Sequence, residues 1–97
     1  MGEAGDDVLM TGDGDDSAFG GEGNDFIKAE AGNDLVEADA GDDTIDGGLG
    51  DDMLSAGDGN DRVEGGEGRD ILIGGHGRDT LRGNEGDDIL VLSLIHI

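Results

Sequence analysis

One acidic side chain returns every nine residues along this chain: Asp7, Asp16, Asp25, Asp34, Asp43, Asp52, Asp61, Asp70, Asp79 and Asp88. Carboxylates at regular spacing can do two kinds of chemistry. A facing pair can serve as acid and base across a glycosidic bond, or carboxylates can gather around a hard cation. Spacing alone leaves the first option open. A catalytic site, however, needs unlike groups to converge, and ten repetitions of one group argue for ion ligands. Other constellations are absent from the sequence: there is no G-x-S-x-G, H-E-x-x-H, P-loop or G-x-G-x-x-G pattern. The sixth position counted from Asp58 is Val63, where an EF-hand loop needs glycine. Zinc or copper would call for His or Cys; the chain has no Cys, and its histidines are His76 and His96. His76 occupies a variable loop place and reads as a solvated residue.

The aspartate is one place of a nine-residue unit that runs from residue 2 to residue 91 as ten copies without insertion or deletion. The fourth place is always glycine, the sixth always aspartate, and the eighth always apolar, from Leu9, Ala18 and Ile27 through to Leu81 and Leu90. All 22 glycines fall at the first, second or fourth place, so they answer a positional demand rather than a compositional bias. Glycine there implies tight turns and close backbone approach. The last three places alternate outward, inward and outward, as a short strand does. Two units then close one coil of a flattened solenoid, and strand stacks on strand eighteen residues later, giving five coils and a rod roughly 24 Å long. Stacking brings Asp25 beside Asp43 and Asp52 beside Asp70. Like charges at strand spacing repel, and a cation between them is required. Carboxylates and turn carbonyls in a flexible loop suit Ca²⁺ better than Mg²⁺, whose tight octahedron prefers to keep its waters.

Composition narrows the classes. The 97 residues suffice for a single domain or a piece of one, and 26 acidic residues against 5 basic give a net charge of −21. That charge with two Phe as the only aromatics would mean disorder, were the aliphatics not phased. Nucleic acid is excluded as a partner, since phosphate attraction and base stacking both lack their residues. The sequence has no membrane-spanning apolar run and no signal peptide at its start.

The unit resembles the glycine-rich nonapeptide GGxGxDxUx of the RTX (repeats-in-toxin), haemolysin-type calcium-binding family. Copies 20 to 28, 47 to 55, 65 to 73 and 74 to 82 match every fixed place. The resemblance implies an all-β fold, a right-handed parallel β-roll, with Ca²⁺ between successive loops of one edge. The implied ligands are the sixth-place carboxylates of both loops and backbone carbonyls around the glycines; in the four full matches these are Gly21, Gly23, Gly48, Gly50, Gly66, Gly68, Gly75 and Gly77. One edge would carry Asp7, Asp25, Asp43, Asp61 and Asp79, the other Asp16, Asp34, Asp52, Asp70 and Asp88. Four gaps on each edge give up to about eight ions, which would bring the net charge from −21 to about −5, ordinary for a small domain. Ala29 with Glu30, and Ala38 with Asp39, replace both leading glycines, while Glu3, Thr11, Ala56 and Asn84 each replace one. Sites touching residues 29 to 43 are therefore expected to be weaker, and those between Asp52 and Asp70 and between Asp70 and Asp88 better.

Two functional classes follow. One is a secreted, extracellular, non-enzymatic module that stays unfolded at cytosolic calcium during type I export and folds outside. The other is the repeat region of a larger secreted protease, lipase or pore-forming toxin. An adhesive or ice-binding rod is a third idea, but the regular Thr ladder that would favour ice binding is not seen. On the outer face of the even-numbered strands the seventh-place column reads Ser17, Leu35, Met53, Ile71, Ile89, and the ninth place adds Ile73 and Val91; such a face could dock a neighbouring domain or a second copy. The tail 92–97 breaks the period. It reads like the in-frame translation of a transposase mosaic-end adaptor and is set apart from the β-roll of residues 2–91 as a scar.

Overall fold

The structure, a computed structural model, describes residues 4–92. Ten three-residue strands follow one another: β1 (Val8–Met10), β2 (Ser17–Phe19), β3 (Phe26–Lys28), β4 (Leu35–Glu37), β5 (Thr44–Asp46), β6 (Met53–Ser55), β7 (Arg62–Glu64), β8 (Ile71–Ile73), β9 (Thr80–Arg82) and β10 (Ile89–Val91). Each fills places seven to nine of its repeat. Odd strands form one five-stranded sheet in the order β1-β3-β5-β7-β9, and even strands form the other, β10-β8-β6-β4-β2. Every pairing is parallel and joins residues eighteen apart, as in Ile27↔Ile45 and Leu54↔Leu72. The chain is thus a parallel β-solenoid of about five turns, without a helix among the described residues. The thinnest dimension, 14 Å, fits two sheets packed at about 10 Å.

The core lies between the sheets. Ile27, Val36, Ile45, Leu54, Val63 and Leu72 at the eighth place are fully buried, Leu9 and Leu81 pack against them at the ends, and Leu90 of the last strand is 44% exposed. Ala29, Ala38 and Ala56 are also fully buried. The sequence presents these alanines as departures from glycine, yet their methyl groups point inward and extend the core beside the eighth-place aliphatics. Outward side chains differ between the faces. Met53 and Ile89 of the even sheet are 45% and 58% exposed, and Leu35, Ile71, Ile73 and Val91 are half-buried. The odd sheet exposes Val8, Met10 and Phe26 at its first two strands and Arg62 and Arg82 at its last two. Of the tail, Leu92 is exposed and residues 93–97 lie outside the described residues, as does Glu3.

The loops turn through left-handed backbone at the second and fourth places. Where glycine is missing, the conformation persists: Glu30, Asp39 and Asn84 hold φ of 75°, 73° and 68°. For a residue with a Cβ that region costs roughly 1–2 kcal/mol of strain. Stacking on the neighbouring coils imposes the path, and local preference yields to it.

Candidate metal centres

Strand pairing fixes the backbone at each sixth-place aspartate, and the neighbouring coil fixes its side chain. In all eight gaps the backbone N–H of one aspartate donates to Oδ1 of the aspartate eighteen residues later, from Asp7 to Asp25 through Asp70 to Asp88, at 2.7–2.9 Å. The second oxygen is different. Oδ2 of Asp16, Asp25, Asp34, Asp43, Asp52, Asp61, Asp70 and Asp79 is buried and has no hydrogen-bond partner. Six of these residues, Asp25, Asp34, Asp43, Asp52, Asp61 and Asp70, are no more than 4% exposed. A buried anion with one oxygen unsatisfied is costly.

The proton affinities register that cost. Burial pushes the carboxyl of Asp43 up to about 6 and those of Asp52 and Asp61 up to about 7, and it raises Asp34 and Asp70 as well. The N–H bond from the preceding coil pulls each the other way, and stacked carboxylates add to the rise. As built from protein alone, the column holds charge that its own donors do not balance.

Where Oδ2 points explains the first-place glycine. A Cβ on Gly20 would lie 2.7 Å from Asp25 Oδ2 and 2.9 Å from the Ala38 carbonyl oxygen; on Gly47 it would lie 2.7 Å from Asp52 Oδ2 and 2.8 Å from the Gly65 carbonyl oxygen. A carboxylate oxygen and a carbonyl oxygen thus both lie close to the first place, and no backbone N–H of the loops donates to that carbonyl. Among the described residues, a side-chain donor to a first-place carbonyl is supplied only in the second repeat, where Thr11 Oγ1 donates to the Ala29 carbonyl at 2.7 Å. Fourth-place carbonyls also face the next loop, since a Cβ on Gly50 would strike the carbonyl oxygen of Gly32. Among the described residues, none of the loop-to-loop backbone hydrogen bonds ends on a fourth-place carbonyl. Second-place carbonyls are partly engaged: those of Glu30 and Gly48 accept from Leu49 and Glu67 at 3.0 Å.

The residues singled out by sequence are therefore brought together in a definite way. The aspartates line two columns, one along each edge, and Gly21, Gly23, Gly48, Gly50, Gly66, Gly68, Gly75 and Gly77 all hold positive φ, between 82° and 115°, in the loops beside them. No three carboxylate or imidazole side chains converge among the described residues. A cation in these gaps must take much of its ligand set from carbonyls, as an oxygen-seeking ion with six or more ligands does.

The sequence matches the family described as RTX calcium-binding nonapeptide repeat (4 copies) over residues 1–36, 19–54 and 55–90. The chain belongs to this RTX repeat family. No curated protein and no solved structure matches it. RTX membership implies calcium binding, and the donor set fits the ion: the candidate ligands are all oxygens, carboxylates and turn carbonyls, and every gap has a buried carboxylate oxygen without a donor. Calcium would supply the positive charge that the stacked carboxylates lack.

Reading the sequence missed the fifth place. Asp6, Asp15, Asn24, Asn33, Asp42, Asp51 and Asn60 each accept, at Oδ1, the backbone N–H of the residue eighteen later, at 2.8–2.9 Å. A signal for it exists, for the first seven copies admit only Asp or Asn there. The arginines of the next two copies, Arg69 and Arg78, make the place look variable.

Proposed function

We propose that this RTX chain is a secreted, extracellular module whose folding depends on calcium, with no catalytic role of its own. The ions would lie between successive loops, held by the sixth-place carboxylates from Asp7 to Asp88 and by carbonyls of the first, second and fourth places. The observation that carries this reading is the row of eight buried Oδ2 atoms without a donor. The fifth-place columns support it by contrast. Their coils are the same distance apart, yet no two carboxylates adjoin: Asp6, Asn24, Asp42, Asn60 on one edge and Asp15, Asn33, Asp51, Arg69, Asp87 on the other. The sixth-place columns are aspartate throughout. Stacked like charges are avoided where no cation is needed and tolerated where one is.

At cytosolic calcium such a chain would stay unfolded and pass through a type I exporter, then fold in the millimolar calcium typical of extracellular modules, for which affinities run about 10⁻⁴ to 10⁻³ M. Circular dichroism tests the core of the proposal. Coil is expected in chelator, and β-structure on adding Ca²⁺ but not equimolar Mg²⁺. An identical β-spectrum in chelator would sink it.

A further inference from the structure

We infer that the fifth-place Asp and Asn residues are positioning residues that set the loop spacing for the ion sites, acting through the acceptor oxygen that Asp and Asn share rather than through charge; the inference rests on the calcium reading above. In each gap so clamped, two side-chain bonds lie on adjacent residues and run in opposite directions. At the sixth place the earlier coil donates and the later coil accepts, as from Asp52 N–H to Asp70 Oδ1 at 2.8 Å. At the fifth place the later coil donates and the earlier accepts, as from Arg69 N–H to Asp51 Oδ1 at 2.9 Å. Together they clamp one loop on the next.

Three observations separate this role from ion ligation. The fifth-place side chains are exposed, whereas their sixth-place neighbours are buried or half-buried. Asp and Asn share the places with the same geometry, since Asn33 accepts from the Asp51 N–H at 2.8 Å just as Asp42 accepts from the Asn60 N–H at 2.8 Å. Finally, the acceptor crowds the next fourth place, where a Cβ on Gly50 would come 3.0 Å from Asn33 Oδ1 and one on Gly68 3.0 Å from Asp51 Oδ1. The invariant glycine therefore admits this clamp as well as the turn.

The clamp has a built-in end. Arg69 has no acceptor atom, and seven of the eight gaps carry the fifth-place bond while the one between Arg69 and Asp87 does not. The loop bond beside it, from Gly68 N–H to the Glu85 carbonyl, is the longest of its kind at 3.2 Å. The ion gap between Asp70 and Asp88 is thus less well held than the one between Asp52 and Asp70, although both lie among glycine-rich repeats.

Backbone amide exchange of the full chain in calcium, with a calcium titration of each variant, tests this. Asp51→Ala should raise the exchange rate of the Arg69 amide about tenfold and increase the calcium midpoint, while Asp51→Asn keeps both near wild type. Arg69→Asn should slow exchange at Asp87 by a similar factor, and Arg69→Ala, which removes the same charge without adding an acceptor, should not. If Asp51→Asn behaves like Asp51→Ala, or the two Arg69 variants protect Asp87 equally, the positioning role is overturned. A wild-type chain that gains no protection on adding calcium overturns the calcium reading and this inference with it.

Discussion

Residues 29–46 and residues 65–82 trace the same two half-coils from different residues. In the first stretch, first-place Ala29 and Ala38 are fully buried and second-place Glu30 and Asp39 hold left-handed backbone against their preference. In the second, Gly65 and Gly74 leave their aspartates so close that a Cβ would come 2.5 Å from Asp70 Oδ2 and 2.6 Å from Asp79 Oδ2, and Gly66 and Gly75 turn freely. The alanine stretch puts a methyl group into the core at the first place; in the glycine stretch the same place lies too close to the carboxylate to hold one. Core packing and room beside the carboxylate thus pull the first place in opposite directions, and the chain divides them among its coils.

Breaking the glycine stretch should have the largest effect. Gly66→Ala puts a Cβ against the Gly48 carbonyl and forces alanine into φ of 89°, so a loss of about 2 kcal/mol or more is expected in calcium-saturated denaturant unfolding. A change within about 0.5 kcal/mol, the usual range for surface substitutions, would show that the loop relaxes easily. Removing a proposed ligand comes next. Asp70→Ala should raise the calcium midpoint for folding by a factor of about two, more than Asp34→Ala does, since the ions share the folding energy and the Asp34 loop is already compromised. Equal shifts in one buffer would erase the distinction between the stretches.

Repairing the alanine stretch should give a smaller gain. Glu30→Gly relieves left-handed strain and is expected to add about 1 kcal/mol in calcium, measured by the same unfolding assay; no gain would mean that the glutamate is held there by other contacts. Acid should act on the calcium-free chain alone. Carboxyls raised on folding bind protons more tightly in the folded chain, so calcium-free stability rises as pH falls from about 7 toward 4, the ordinary carboxylate range. In chelator a partial gain of β-signal on acidification is expected. In saturating calcium the dependence should fade.

Much of this architecture is legible in the sequence because its period is strict. The phase of the eighth-place aliphatics implies both sheets and the eighteen-residue stacking, and the invariance of Asp at the sixth place implies the two columns. Other features depend on what each side chain meets. The pattern marks Ala29 and Ala38 as missing glycines, and only packing shows their methyl groups in the core. Likewise a place that alternates Asp with Asn looks variable until both are seen to present the same oxygen to the same N–H. The opposite polarity of the fifth- and sixth-place bonds has no sequence signature, because it depends on which coil supplies the donor.

Pairing only between residues eighteen apart has a consequence for how such a chain can change length. Loss or duplication of one full coil, eighteen residues or fifty-four nucleotides, would return every later strand to its own sheet and every later aspartate to its own column. Loss of nine would also keep the aspartates in phase, but it would carry each later strand across to the opposite sheet, setting Ile71 and Ile73 in the column that now holds Arg62 and Glu64. The heritable unit that preserves both faces is therefore the coil, although the unit written in the sequence is half of it.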